Sequence, residues 1–230
     1  MVIGGLQKMT LLDYPGKIAC TVFLPGCNLR CPYCHNSTLV IPEKLTEGFP
    51  QEALLDFLQK RQGKLDGVCV TGGEPTIHRD LPELIRKIKN LGFLIKLDTN
   101  GSNPGMLETL IREGLIDYVA MDIKNSPEWY EKTCGGISIL EPVRKSLELL
   151  KSGVVDYELR TTVCKPLHSA QTMENLGKWI QGARRYFIQN FEDSGDLVGT
   201  GMSSFSQEEL ELLLKTVRAY VPEAHIRGQE

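Results

Sequence analysis

The sequence predicts an α/β fold, an incomplete (βα)6 TIM-type barrel with parallel strands. Three observations carry that reading. Short apolar runs rich in β-branched residues alternate with longer segments of helical period, the pattern of successive βα units. Six such pairs follow one another with no composition break, low-complexity tract or internal repeat. The chain has 230 residues and a long first loop, whereas a full eight-fold barrel takes about 250 residues. An open doubly wound sheet is the alternative.

The strands are read at IACTVFL (18–24), GVCVT (67–71), FLIKLDT (93–99), DYVAMDIK (117–124), DYELRTTV (156–163) and RYFIQNF (185–191). Helices are expected at about 50–62, 80–91, 104–113, 139–152 and 169–182, with a last one opening at Ser206. Ser206-Gln-Glu-Glu209 has the form of a capping box, in which each end satisfies an orphan backbone N–H of the other. Residues 1–230 are expected to form one domain, with a core over about 15–191 and a C-terminal helix and tail over 192–230.

In either geometry ligands bind at the carboxyl ends of the strands. The first strand leads to Cys27, Cys31 and Cys34, and the second to Gly72-Gly73-Glu74-Pro75. The third ends in Asp98-Thr99-Asn100-Gly101, and the fourth in Asp122 and Lys124. Arg160 lies on the fifth, which leads to Lys165, while Gln189 and Asn190 end the sixth. Six polar or metal-binding strand ends favour one large site at that rim.

Composition narrows the class. Hydrophobic residues make up 41% and charged residues 24%, a globular balance that suggests neither a disordered nor a fibrous chain. A formal net charge of −3 offers no electrostatic footprint for nucleic acid or an anionic membrane. The N-terminal segment does not read as an export signal and no stretch approaches a membrane span, so a cytoplasmic location is expected. Seven cysteines, an odd number, argue against a disulfide framework and toward metal binding in a reducing compartment.

Three of the seven fall within GCNLRCPYCHN (26–36). CxxxCxxC lets one loop wrap its thiolates around a metal, and buried structural cysteines fit poorly beside Arg30, Pro32, His35 and Asn36. Structural zinc is the competitor, since Cys3His is a known tetrahedral set. His35 directly follows Cys34, however, so His78 or His168 would have to complete such a site. A [4Fe–4S] cluster takes four thiolates. Three here leave one iron open for a substrate.

These residues resemble the radical S-adenosylmethionine (SAM) enzymes, whose signature is CxxxCxxC with an aromatic before the third cysteine. LDYPGKIACTVFLPGCNLRCPYCHN, TGGEP, DTNG and MDIK together resemble the glycyl-radical-enzyme activating branch. Within it they are most similar to the longer anaerobic ribonucleoside-triphosphate reductase activating proteins, and also to pyruvate formate-lyase activating enzymes.

The resemblance implies one [4Fe–4S] cluster on Cys27, Cys31 and Cys34, with SAM on the fourth iron. It places Tyr33, Cys34 and His35 along the adenine, and the Gly72-Gly73-Glu74 turn at the methionyl ammonium, the glycines letting the backbone approach the ligand closely. It assigns Asp98 and Asp122 to the cosubstrate and to a monovalent cation, and Lys124 and Arg160 to the cosubstrate. Some relatives carry a His near the end of the sixth strand, where this chain offers Asn190 or Gln189 instead. Cys20 and Cys69 read as core residues, and Cys134 and Cys164 as isolated, so no accessory cluster is expected.

The implied activity is formation of a glycyl radical on a partner enzyme, with ribonucleoside-triphosphate reductase expected and flavodoxin or ferredoxin as electron donor. The alternatives are formate-lyase activation, another radical SAM reaction on a peptide or small molecule, and a zinc-binding protein without chemistry.

Overall fold

The computed structural model describes residues 1–45, 47–193 and 195–228. Its strands are β1 (Val2–Ile3), β2 (Gly5–Thr10), β3 (Ala19–Leu24), β4 (Phe49–Pro50), β5 (Gly67–Gly72), β6 (Leu94–Thr99), β7 (Tyr118–Asp122), β8 (Asp156–Val163), β9 (Tyr186–Asn190) and β10 (Ala224–Ile226). Its α-helices are α1 (Ser37–Val40), α2 (Gln51–Gln59), α3 (Leu81–Asn90), α4 (Pro104–Arg112), α5 (Tyr130–Thr133), α6 (Leu140–Lys151), α7 (Ala170–Trp179) and α8 (Gln207–Arg218).

Two compact units make up the chain. The first comprises Met1–Asn28, Thr38–Thr99 and Asn103–Ala120; the second comprises Leu29–Ser37, Asn100–Ser102 and Met121–Glu230. In the first, the strand order is β2-β3-β5-β6 followed by β7. The β3–β5 and β5–β6 pairs are parallel, and β2 runs antiparallel to β3. Val68, Cys69 and Val70 of β5 are all fully buried, as expected of a strand covered on both faces. Alternate residues of a strand share a face. Lys96 and Asp98 of β6 therefore point the same way, and the register sets Cys69 of β5 opposite Lys96.

α3 shows the helical counterpart of that periodicity. Leu81, Leu84, Ile85 and Ile88 are its buried residues, a spacing that forms one apolar stripe, and Pro82 sits in the first turn, where its missing N–H has no partner to lose.

In the second unit the order passes from the end of β7 to β8, β9 and β10, and the β8–β9 and β9–β10 pairs are parallel. The six βα strands expected from sequence are β3, β5, β6, β7, β8 and β9, each within two residues at either end. Two strands extend that set: the antiparallel β2, and β10, which α8 links to β9 as one more parallel crossover. Cys20 and Cys69 are fully buried core residues.

The capping box at Ser206 is present. Ser206 Oγ accepts from Glu209 N at 3.3 Å, and Ser206 N donates to Glu209 Oε2 at 2.8 Å. The buried stripe of α8, Leu210, Leu213, Leu214 and Val217, begins one turn later. Ser206→Ala is expected to lower stability by about 1 kcal/mol, the usual worth of a helix N-cap; the shift in urea midpoint at unchanged slope measures it.

Candidate functional site

In the first unit, Cys27 lies half-buried on the segment that follows β3. The backbone of this segment is bonded from several sides. Gly26 N donates to Leu39 O at 2.7 Å, Gly26 O accepts from Glu74 N at 2.8 Å, and Gly73 N donates to Leu24 O at 2.9 Å. His78 Nε2 bonds Pro25 O at 2.8 Å.

The glycine pair serves this packing. A Cβ on Gly73 would stand 2.0 Å from Gly26 O and 3.2 Å from Cys27 Cβ. Gly72 has φ +131, and a Cβ there would stand 2.2 Å from Leu24 O. Both glycines lie close against the chain's own cysteine-bearing segment, an approach that only glycine permits. Glu74 is buried, and its Oε1 accepts from Thr76 N at 3.0 Å and from Thr99 Oγ1 at 2.7 Å. The carboxylate thus ties the turn after β5 to the end of β6.

Asp98 also has an internal partner. Lys96 Nζ forms an ion pair with Asp98 Oδ1, and the side-chain exposures are 2% for Lys96 and 14% for Asp98. The Cys69 thiol completes the group, donating to Asp98 Oδ1 at 3.6 Å and lying 3.8 Å from Lys96 Nζ. Lys96 was not anticipated. Its signal was available in KLD, because positions i and i+2 of a strand share a face.

In the second unit, Cys31 is buried and Cys34 half-buried, and Cys34 N donates to Cys31 O at 3.0 Å. Arg30 N donates to Cys134 O at 3.3 Å, Val198 N to Cys34 O at 3.1 Å and Gly199 N to Pro32 O at 2.8 Å. Gly135 has φ +80, and a Cβ on it would meet Arg30 O at 2.4 Å, so the Cys134-Gly135 turn lies directly against the loop.

The two thiols differ. A hydrogen bond with the Cys134 side chain outweighs burial at Cys31, and with help from Lys124 it lowers the thiol to about 7. Cys34 is pushed up by burial. Cys134 and Cys164, which read as isolated, both stand near Tyr33, and Cys164 is pushed up to about 12 by burial and by Cys31.

Tyr33 is buried, its ring edge-on to His168 with centroids 6.4 Å apart, so its side chain packs within the unit. His35 is exposed. His168 Nε2 bonds Lys124 O at 3.0 Å, its Nδ1 accepts from Cys164 N at 3.1 Å, and burial lowers its basicity. Both imidazoles that a zinc site would call on, His78 and His168, are engaged with backbone.

Asp122, Lys124 and Arg160 form one ion cluster. Lys124 Nζ lies 2.9 Å from Asp122 Oδ2, while Arg160 Nε and Nη2 lie 3.0 and 2.9 Å from Oδ1. Burial opposes the carboxylate, but Arg160 and Lys124 together outweigh it and hold Asp122 well below the usual range. Burial likewise opposes the Lys124 ammonium, which Asp122 and its neighbours raise well above its ordinary value.

Asn190 bonds within the unit. Its Nδ2 donates to Phe205 O at 2.8 Å and its Oδ1 accepts from Phe205 N at 3.0 Å. The amide bridges to the backbone just before α8. Lys165, the other polar group beyond β8, pairs with Glu209 at 2.7 Å.

Comparison with known proteins places this geometry in a family. The Radical SAM superfamily model matches residues 21–180. A Methanocaldococcus jannaschii protein provisionally named as a glycyl-radical enzyme activating enzyme is 34% identical over 236 residues, 98% of this chain and 95% of that one. Pyruvate formate-lyase-activating enzyme of Clostridium pasteurianum is 33% identical over 132 residues, 54% of each chain. The structure of Streptococcus suis SuiB bound to S-adenosylmethionine superposes with a TM-score of 0.68 at 16% identity, covering 90% of this chain and 52% of that one. The chain belongs to the radical SAM superfamily and is an enzyme of that kind, with an α/β fold whose central sheet is mostly parallel.

Membership implies SAM and a [4Fe–4S] cluster, and the donors suit that cluster. One loop supplies three thiols, and Cys31 already ionises near neutrality. Burial disfavours a bare thiolate at Cys34, which a coordinated iron reverses, since a metal-bound thiol is deprotonated outright. Among the described residues no three His, Cys, Asp or Glu side chains are grouped to hold a single metal ion. A [4Fe–4S] unit instead spreads its ligands, one thiolate to each iron.

The ion cluster makes a pH prediction. Asp122 has its folded pKa depressed, so its contribution to stability is full above the unfolded value and is lost as pH falls through the folded one. Asp122→Asn should cost the metal-free chain about 2 kcal/mol at pH 7, less than the roughly 3–5 kcal/mol of a fully buried pair, because Asp122 keeps 30% of its side chain exposed. That deficit should narrow as pH drops below about 4; urea melts of both chains at several pH values check the magnitude and the sign.

Proposed function

We propose that the chain activates a glycyl radical enzyme, the partner being an anaerobic ribonucleoside-triphosphate reductase. The observation that carries this reading is the joint one of a three-thiol CxxxCxxC loop and a near full-length relative named for glycyl-radical enzyme activation. When bound, the reduced cluster and SAM supply one-electron cleavage of the S–C5′ bond, giving methionine and a 5′-deoxyadenosyl radical. That radical would take a hydrogen atom from a glycine α-carbon of the partner, leaving 5′-deoxyadenosine and the glycyl radical.

The chain's own residues bind and orient. Cys27, Cys31 and Cys34 would hold the cluster, and the Gly72-Gly73-Glu74 turn would set the backbone that receives the methionyl ammonium. Tyr33, Cys34 and His35 flank the adenine, with Tyr33 contributing through its packing. Asp98, Asp122, Lys124 and Arg160 present charge to the cosubstrate. A monovalent cation has no part in this reading, because Asp98 and Asp122 each have a cationic partner within the chain. The electron comes from a flavodoxin or ferredoxin. Residues 1–230 act as one radical SAM domain in the cytoplasm; among the described residues no helix is long and apolar enough to cross a membrane.

Formate-lyase activation is the second reading, favoured by the Clostridium pasteurianum relative. One experiment separates the two. Chain reconstituted anaerobically should be brown, with about four irons and four sulfides. After reduction with SAM present, electron paramagnetic resonance should show a glycyl radical on the reductase, and Cys31→Ala should abolish it. A signal on formate lyase alone overturns the preferred partner. A colourless chain holding stoichiometric zinc overturns the radical chemistry.

A further inference from the structure

Lys96, paired with Asp98, is the residue that the reaction as described leaves unused. A lysine ammonium is almost never fully buried unless paired, yet only 2% of the Lys96 side chain is exposed. It is placed there by the alternation of β6, which sets it two residues before Asp98 on the same face, and by the register that sets Cys69 of β5 opposite it. Asp98 Oδ1 receives both the ammonium and, at 3.6 Å, the Cys69 thiol.

The resemblance calls for a monovalent cation at Asp98. A free cation placed there would meet the Lys96 ammonium at close range inside a low-dielectric environment, where like charges repel strongly. The carboxylate meanwhile already has the counter-charge that its burial demands. The same holds separately at Asp122, where Lys124 and Arg160 occupy both oxygens.

We infer that Lys96 is a built-in cation: its ammonium takes the place of a monovalent ion at Asp98, so that SAM binding needs neither potassium nor sodium. Lys96 is a positioning residue, acting through Asp98 with the Cys69 thiol as the third member. The inference rests on the reading that Asp98 faces the cosubstrate.

The test compares potassium, sodium and tetramethylammonium buffers of equal ionic strength. Reconstituted wild type should bind SAM with a dissociation constant that changes less than about twofold among them. Lys96→Met should bind about tenfold more weakly in tetramethylammonium and recover in potassium or sodium. Lys96→Arg, which keeps the charge, should remain indifferent to the cation. A second readout needs no cluster: the melting midpoint of the metal-free wild type should be the same in all three buffers, while that of Lys96→Met should rise with potassium or sodium.

Lys96→Met with Asp98→Asn removes both charges and should melt without any cation response. A wild type that needs potassium or sodium to bind SAM overturns the inference, as does a Lys96→Met chain indifferent to cations in both readouts. If Lys96→Met does not fold, the wild-type comparison decides alone. Failure of the wild type to bind SAM in every buffer counts against the proposed function instead, and the melting midpoints still decide the role of Lys96.

Discussion

The constraint on which the rest depends is that the loop carrying Cys27, Cys31 and Cys34 has no secondary structure to satisfy its backbone. Buried N–H and C=O groups must be paired, whatever the segment. In the first unit the partners come from Leu39, Glu74 and the His78 ring; in the second they come from Cys134, Val198 and Gly199. Each anchoring segment must come close, which is why glycine recurs at the contacts. Gly73 against Gly26, Gly135 against Arg30 and Gly199 against Pro32 would each place a Cβ within 2.7 Å of the loop. Within each unit the segment held in this way presents its thiols from a defined backbone.

A second constraint is that charge inside the protein must be compensated there. Lys96 with Asp98, and Asp122 with Lys124 and Arg160, meet it by different routes. The first pair arises along one strand, through the two-residue period of β6. The second joins the end of β7 to β8: Arg160 brings Nε and Nη2 to one oxygen of Asp122, Oδ1, and Lys124 takes the other. Coulombic support from Lys124 then reaches Cys31, so the same ammonium that holds Asp122 also favours a thiolate on the loop.

This division explains what could be read from the sequence. The six βα strands were legible because β-branched runs and helical stripes are local signals, and Ser206 was legible because a capping box spans four residues. β2 was not, since GLQKMT is a half-exposed edge strand without an apolar alternation. Nor was β10, whose three residues AHI gain their pairing only once α8 has returned the chain beside β9. Within the site, the cysteines and the acidic strand ends carried enough local pattern to be named. The packing of Gly72 and Gly73, the bridge from Asn190 to Phe205 and the turn at Cys134-Gly135 all depend on which distant segment packs where, which no spacing encodes.

Cys31 and Cys34 show how far such packing reaches into chemistry. Burial opposes ionisation of both, yet Cys31 moves down to about 7 while Cys34 moves up. The difference lies in what each thiol meets: the Cys134 side chain reaches Cys31 by hydrogen bond, whereas at Cys34 burial outweighs a backbone bond from Asn36 and the support of Lys124. Cys134 owes its place to the residue beside it, because Gly135 at φ +80 lets the turn lie against Arg30 without a side chain between. A glycine about a hundred residues along the chain from the cysteine loop therefore lets the turn that carries Cys134 pack against that loop, and the constraint it relieves is steric.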